Sequence, residues 1–180
     1  MPLSDHSHRP WVLRELEKAA GDLTRIRSCT DAGAGYGAWK EFCMPWMGDG
    51  CRWTAIEIHE PYVSRFLLPY RYSTVLTADL RDLDPFPASD VVFFGDVLEH
   101  MDADDAAKVW DRARKASWRL VLGIPVVEYP QGEVEGNPYE AHVSTWSPET
   151  VLASFAGIYA HRCNSVTGAF IAEGEADGPA

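Results

Sequence analysis

The segment DAGAGYG at residues 31–37 combines a carboxylate with three glycines, where a strand is predicted to turn into a helix. Gly33 and Gly35 carry no side chain, so the main chain there can come close to a bound ligand. Asp31 places a negative charge beside that ligand, which would repel a pyrophosphate and suits a ligand that carries positive charge. The glycine spacing alone also fits the G-x-G-x-x-A pattern of dinucleotide-binding proteins, so the neighbouring acids must decide between the two.

Two further carboxylates follow the next two predicted strands. Glu57 closes the strand in TAIEIHE, at about the distance downstream at which an acid accepts hydrogen bonds from ribose hydroxyls. Asp79 ends the following strand, where it can accept a hydrogen bond from an adenine amino group while Leu80 packs on the ring. A turn-forming role explains any one of the acids. Three acids at three successive strand ends predict a shared ligand-binding edge of a sheet.

Apolar stretches alternate with helical patterns along the chain, which predicts parallel strands joined by helices. Helix ends are indicated by Gly21 after a first helix, by Asp102 as an N-cap, and by Ser147 before a last helix. The final two strands lie too close together for a crossover helix and must be antiparallel. We therefore predict a Rossmann-like three-layer α/β sandwich with a seven-stranded, mostly parallel sheet whose last strand is antiparallel. The predicted strands cover residues 26–31, 53–58, 73–78, 90–95, 118–124, 158–163 and 167–173.

Composition and charge exclude several classes of protein. The 180 residues, 46% of them hydrophobic, predict a single domain over residues 1–180 with an ordered core at about 10–173. No apolar run approaches the roughly 20 residues of a membrane span, and no signal peptide is indicated, so we expect a soluble, cytoplasmic protein without a membrane partner. The net charge of −11 argues against a nucleic-acid partner. The four cysteines show no spacing suited to a metal, so no metal site is predicted.

With these motifs the chain resembles the class I S-adenosylmethionine-dependent methyltransferases of the small-molecule type. GDVLEHM at residues 95–101 resembles the signature after their fourth strand, and LVLGIPV at residues 120–126 resembles their fifth strand. The resemblance covers nearly the whole chain and implies S-adenosylmethionine as cofactor and S-adenosylhomocysteine as product. The residues that it assigns to the cofactor are Asp31, Gly33 and Gly35 at the methionine end, Glu57 at the ribose, Asp79 and Leu80 at the adenine, and Gly95 and Asp96 at the floor.

The segment from residue 125 to residue 146 has no periodicity and reads as a long loop, a place where functional residues concentrate. In similar enzymes a histidine followed by a tryptophan lies over the acceptor pocket. The resemblance therefore implies that Tyr139, Glu140 and Trp146 bind the acceptor. His142 is the candidate catalytic residue, either as the general base that takes a proton from a hydroxyl or amine or as the group that orients the acceptor.

Glu99 and His100 lie directly after the fourth predicted strand, and we interpret both as structural residues. His100 can hydrogen-bond across a loop, and Glu99 can anchor a backbone turn. Neither is assigned to catalysis.

The function that the resemblance implies is methyl transfer to an oxygen or nitrogen of a small molecule, such as a sugar, a natural product or a metabolite. Two alternatives stay open. One is a methyltransferase-like domain without chemistry that serves as a binding or partner module. The other is an NAD-dependent oxidoreductase, which Asp31 and the absence of a Tyr-x-x-x-Lys pair disfavour. We expect a small lid over the acceptor unless a second subunit supplies it, as in a homodimer.

Overall fold

The computed structural model describes residues 7–179. Seven strands form one sheet in the order β3-β2-β1-β4-β5-β7-β6. The pairs among β1 to β5 are parallel, and β7 runs antiparallel to both of its neighbours, which confirms the predicted fold class. The strands are β1 (Ser28–Ala32), β2 (Arg52–Ile56), β3 (Thr74–Leu76), β4 (Ser89–Gly95), β5 (Ser117–Pro125), β6 (Ile158–Cys163) and β7 (Thr167–Glu173).

The helices begin and end close to the signals in the sequence. Gly21 terminates the first helix with a φ of +77°. The Asp102 carboxylate accepts a hydrogen bond from the N–H of Asp105, and Ser147 forms a capping box with Thr150. No helix within residues 7–179 is long and apolar enough to cross a membrane. The α-helices are α1 (Arg9–Ala20), α2 (Ala38–Met47), α3 (Glu60–Arg65), α4 (Leu68–Arg71), α5 (Ala103–Ala116) and α6 (Pro148–Ser154).

Alternate residues of β4 contribute to two separate hydrophobic clusters. Phe93 belongs to one cluster, where Trp39 and Trp53 stack on it with ring centroids 5.1 and 5.5 Å away. Phe94 belongs to the other, where Trp110 packs at 5.9 Å. Successive side chains of a strand point to opposite faces of the sheet. Both faces are therefore covered, which explains why β4 is an uninterrupted apolar run in the sequence.

The strand order places β1 beside β4 in the middle of the sheet, although β2 and β3 lie between them in the chain. In open α/β sheets, ligands bind at such a switch point, beyond the carboxyl ends of the strands. Ala32, the last residue of β1, pairs with Ile56 of β2 and with Phe94 of β4. The turns that follow these three strands therefore meet at one edge of the sheet.

Candidate functional site

The glycine-rich turn between β1 and α2 presents main chain to a cavity at this edge. Gly33 (φ +67°) and Gly35 (φ +51°) adopt left-handed conformations that glycine tolerates best. A Cβ atom on Gly33 would lie 2.5 Å from Cγ2 of Val97, whereas a Cβ atom on Gly35 would meet no heavy atom of the described residues within 4 Å. Packing within the protein therefore explains Gly33, and the space over Gly35 is open to a ligand.

Asp31 lies in β1 just before this turn and is 2% exposed. The hydroxyl of Tyr72 donates a 2.6 Å hydrogen bond to its carboxylate. Burial raises the pKa of Asp31 to about 7, while the hydrogen bond from Tyr72 opposes the rise. A nearby positive charge favours the ionised form of an acid. We therefore expect a cationic ligand at this position to displace the proton of Asp31 below about pH 7.

Glu57 follows β2 and holds the glycine-rich turn in place. Its carboxylate oxygens accept hydrogen bonds from the N–H of Gly35 at 2.8 Å and from the N–H of His59 at 2.9 Å. Burial raises the pKa of Glu57, and these two main-chain hydrogen bonds oppose the rise. An ionised carboxylate has about four lone-pair positions, so Glu57 can accept further hydrogen bonds from a ligand without releasing the turn.

Asp79 follows β3 and forms an ion pair with Arg81, whose Nη2 lies 2.6 Å from Oδ2. The hydrogen bonds from the Arg81 side chain lower the pKa of Asp79, and a bond from the Arg81 N–H adds to this effect. Leu80 lies between them in the chain and is 6% exposed. Both residues line the same cavity, which offers a carboxylate and an apolar side chain to a planar base.

Two adjoining cavities open at the carboxyl edge of the sheet. The first cavity, of about 190 Å³, is lined by Asp31, Gly95, Glu99 and His142 among others. The second cavity, of about 110 Å³, is lined by Glu57, Asp79, Leu80 and Tyr139 among others. The residues that line both are Gly33, Gly35, Asp96, His100 and Glu140. Together the cavities form one two-lobed cleft with Gly35 at its centre.

Gly95 and Asp96 lie at the end of β4 and line the cleft, where the sequence places them. A Cβ atom on Gly95 would lie 2.4 Å from Nε1 of Trp39, so this position admits only glycine without rearrangement of the indole. Asp96 has a φ of +52°, a conformation that is uncommon for a residue other than glycine. Asp96 lines both of the cavities.

Two of the residues that were predicted to bind the acceptor do not line the first cavity. Tyr139 lines the second cavity, beside the ring of His59 at a centroid distance of 6.5 Å, and not the cavity that contains His142. Trp146 is 4% exposed and packs against Phe155 in the core at 4.9 Å. The indole of Trp146 therefore lines neither cavity and belongs to the hydrophobic core, where its apolar surface is removed from water.

His142 lines the first cavity, as predicted, and its geometry determines its tautomer. Nδ1 lies 2.6 Å from the main-chain oxygen of Tyr129, which can only accept a hydrogen bond, so Nδ1 carries the proton. Nε2 is then left with a lone pair. Burial, followed by the charge of His100, lowers the pKa of His142. The neutral imidazole therefore offers an acceptor atom near neutral pH.

His100 hydrogen-bonds across a loop, which agrees with its structural interpretation. Nδ1 lies 3.1 Å from the main-chain oxygen of Ala141, and Nε2 lies 3.1 Å from that of Asp96. The ring also lies beside that of His142, with centroids 5.0 Å apart. His100 therefore connects the end of β4 to the loop that carries His142.

Glu99 anchors the same loop through its main chain, because its carbonyl oxygen accepts a hydrogen bond from the N–H of Val143 at 2.8 Å. The side chain of Glu99, in contrast, makes no such hydrogen bond within residues 7–179. The carboxylate is 1% exposed, lines the first cavity and has no hydrogen-bond partner within residues 7–179. Burial, followed by the charge of Asp96, raises the pKa of Glu99. Ligating atoms of Glu99, His100 and His142 lie within 4.8 Å of one another, a cluster that the cysteine and histidine spacing did not predict.

Two residues at the start of α1 also line the first cavity, and the sequence did not indicate either of them. His8 is 6% exposed, with Nε2 3.1 Å from the main-chain oxygen of Thr167. Arg9 is 6% exposed, and its guanidinium lies 5.0 Å from the centre of the Trp39 ring. Both residues precede the predicted ordered core, and they are not part of a recognisable binding motif. Only the packing of α1 brings them to the cavity.

Comparison with known proteins gives a result at the level of structure only. No protein-family model matches the chain, and no curated protein matches its sequence. Among solved structures, the N-terminal domain of EvdMO1 with SAH bound superposes with a TM-score of 0.67 and 12% identity, over 96% of this chain and 83% of that one. An S-adenosylmethionine-dependent methyltransferase from Clostridium acetobutylicum has a TM-score of 0.67 and 10% identity, over 94% and 92% of the two chains.

The chain has the fold of S-adenosylmethionine-dependent methyltransferases. The mitomycin 7-O-methyltransferase MmcR shares this methyltransferase fold, with a TM-score of 0.62 and 20% identity over 91% of this chain. This chain spans about half of MmcR, 54% of its length. The TM-scores of 0.62 and 0.67 show the shared fold. Because the identities are only 10 to 20%, the function has to be argued from the side chains of the cleft.

Proposed function

We propose that this protein transfers a methyl group from S-adenosylmethionine to an oxygen or nitrogen of a small-molecule acceptor and releases S-adenosylhomocysteine. One observation carries the proposal: Asp31, Glu57 and Asp79, from three successive strand ends, line a single cleft with Gly35 at its centre. The EvdMO1 domain with SAH bound and the O-methyltransferase MmcR support it at the level of fold.

The residues of the cleft fit this cofactor. The open space over Gly35 allows a ligand to lie against the main chain. In the first cavity, the buried Asp31 favours the positively charged methionine end. In the second cavity, Glu57 has lone pairs left for ribose hydroxyls, and Asp79 with Leu80 can take an adenine by a hydrogen bond and by apolar contact. The buried carboxylate near the glycines disfavours the pyrophosphate of NAD.

When bound, S-adenosylmethionine supplies an electrophilic methyl group on a sulfonium sulfur. The chain itself has to align the acceptor with that methyl group and to receive a proton. In our proposal Nε2 of His142 contacts the acceptor, either as general base or as an orienting group, since Nδ1 is committed to the Tyr129 carbonyl. Glu140 lines both lobes of the cleft and is a further contact to the acceptor.

We propose a small acceptor, because the first cavity has a volume of only about 190 Å³. The net charge of −11 disfavours a nucleic acid. All four cysteines are free thiols, which suits the reducing cytoplasm where we place the reaction. A second subunit, as in a homodimer, remains part of the hypothesis as a source of a lid.

Binding is tested by titration calorimetry with S-adenosylmethionine, S-adenosylhomocysteine and NAD. We expect micromolar affinity for the first two, on the order of 7 to 9 kcal/mol. Binding of NAD, together with no heat from either sulfur compound at millimolar concentration, would contradict the proposal. Binding of S-adenosylhomocysteine without methyl transfer to any member of an acceptor panel would favour a binding module without chemistry.

Catalysis is tested with His142→Ala on an acceptor identified by mass spectrometry of such a panel. Loss of general-base or orienting assistance is expected to lower turnover about a hundredfold or more, with nearly unchanged cofactor affinity. The matched control is His161→Ala, because His161 stacks on Phe170 in the β6–β7 pair and lines neither cavity. Wild-type turnover in His142→Ala would remove this residue from the mechanism.

A further inference from the structure

We propose that Glu99, His100 and His142 bind a divalent transition-metal ion in the first cavity. One oxygen and two ring nitrogens of these residues lie within 4.8 Å of one another, so a single ion can contact all three after small side-chain movements. The three side chains come from the turn after β4 and from the long loop, and all of them line the cavity.

The side chain of Glu99 is the observation that points to a missing ligand. The carboxylate is 1% exposed, and neither oxygen has a hydrogen-bond partner within residues 7–179. A buried carboxylate normally has hydrogen-bond partners, an opposite charge or a metal ion. The carbonyl oxygen of Glu99 accepts hydrogen bonds from the N–H groups of Val143 and Ser144 at 2.8 and 3.0 Å. These bonds hold the loop of His142 against Glu99 and keep the cluster together.

Both imidazoles have the outer contacts of metal-binding histidines. Such a histidine usually donates its second ring N–H to a carbonyl or carboxylate, which fixes the tautomer. Nδ1 of His142 donates to the Tyr129 carbonyl and leaves Nε2 for the ion. Both nitrogens of His100 face main-chain carbonyls at 3.1 Å. One of these nitrogens can keep its carbonyl as the outer contact, and the other has to turn away from its carbonyl to bind the ion.

The donor set indicates the class of the ion. Two imidazole nitrogens and one carboxylate oxygen suit Zn²⁺, Mn²⁺, Fe²⁺ or Co²⁺, whereas Mg²⁺ and Ca²⁺ prefer oxygen ligands. Three protein ligands also leave coordination positions open. Under the function proposed above, an acceptor hydroxyl would occupy an open position and release its proton to water. Nε2 of His142 would then be a ligand of the ion, and this role replaces the direct contact to the acceptor that we proposed for it above. Metal binding itself does not depend on the proposed function.

The test uses the untagged full chain, stripped of metal with EDTA and titrated with Co²⁺ while the visible absorption bands of the ion are recorded. We expect one Co²⁺ per chain, displaced by Zn²⁺ and not by Mg²⁺ at the same concentration. Glu99→Gln and His142→Ala should each weaken Co²⁺ binding at least tenfold. His161→Ala is the matched control and should bind as the wild type does, because His161 lies outside the cluster.

The proposal is overturned if the wild type binds no Co²⁺, if both cluster variants bind it as tightly as the wild type, or if His161→Ala loses it equally. Glu99→Gln keeps the size and shape of the side chain, so we expect it to fold. Should it unfold by circular dichroism, the half-buried His142 still provides the test. Calorimetry with S-adenosylhomocysteine on the metal-free chain separates the two proposals. S-adenosylhomocysteine binding without Co²⁺ binding overturns the metal site alone, and Co²⁺ binding without S-adenosylhomocysteine binding overturns the proposed function alone.

Discussion

The open space over Gly35 allows a quantitative test of where the cofactor lies. Gly35→Ala adds one methyl group at a position with a φ of +51°, where no heavy atom from the described part of the chain lies within 4 Å of the added Cβ. The left-handed conformation costs an alanine roughly 1 to 2 kcal/mol of stability. The protein itself has room for the methyl group, so any further effect has to come from contact with a ligand. We expect at least a tenfold loss of S-adenosylhomocysteine affinity, about 1.4 kcal/mol.

Thermal unfolding measures both effects. At a ligand concentration of a hundred times Kd, binding stabilises the wild type by about 2.7 kcal/mol. A chain of 180 residues gains about 2 to 4 °C in Tm per kcal/mol, so the shift should be roughly 5 to 11 °C. After a tenfold loss of affinity, the same concentration stabilises Gly35→Ala by only about 1.4 kcal/mol, and its shift should be roughly 3 to 6 °C.

The matched control for this measurement is Gly48→Ala. Gly48 terminates α2 with a φ of +78° and a ψ of 169°, a conformation that costs alanine more than the left-handed region does. Within residues 7–179 no heavy atom lies within 4 Å of an added Cβ, and Gly48 lines neither cavity. We expect it to lose stability and to keep the full ligand-induced shift. If Gly35→Ala keeps the wild-type shift as well, the cofactor does not lie against Gly35, and the placement of the ligand in the cleft is refuted.

Three further predictions concern pH, the second cavity and packing. Because the pKa of Asp31 is raised to about 7, the folded chain holds a proton that the unfolded chain loses from about pH 4 upward. Stability should therefore fall as the pH rises from about 4 to about 7, and S-adenosylmethionine affinity should rise between pH 6 and pH 8. Asp31→Asn should weaken the pH dependence of stability in unfolding measurements and the pH dependence of affinity in calorimetry. If neither pH dependence changes, the carboxyl of Asp31 is not its source. Glu57→Gln should weaken S-adenosylhomocysteine binding by roughly 1.5 to 3 kcal/mol in calorimetry, because it removes charged hydrogen-bond acceptors. The control Glu60→Gln changes an exposed residue and should not weaken binding. If both variants bind as the wild type does, Glu57 has only a structural role. Gly95→Ala should lower the free energy of unfolding by roughly 1 to 3 kcal/mol in urea titration, since its Cβ would lie 2.4 Å from Trp39, and an unchanged midpoint would show that the indole moves freely.

The local pattern of the sequence was sufficient for the fold. A strand buried on both faces, such as β4, reads as an apolar run, and helix ends carry their own capping residues, as at Asp102 and Ser147. Parallel strands all end at one edge, so the order of Asp31, Glu57 and Asp79 along the chain was enough to predict a common cleft. The structure places all three there.

Side-chain burial could not be predicted in the same way, because it depends on contacts between residues that are distant in the chain. Trp146 belongs to an aromatic-rich loop, yet its ring packs in the core against Phe155. Glu99 follows a strand like the other acids, and only the fold determines that its carboxylate is buried without a hydrogen-bond partner among the residues that the structure describes. A sequence pattern gives the type and spacing of such residues but not the partners available to them.

The sequence by itself therefore determined the α/β architecture, the glycine-rich turn and the acids of the cleft, because each depends on neighbours within a few residues or on the common direction of parallel strands. Only the tertiary structure decided that α1 brings Arg9 to the first cavity and that the long loop returns His142 to Glu99 and His100. Those contacts join segments that are far apart in the chain, and the packing of the sheet, the helix and the loop brings them within reach of one another.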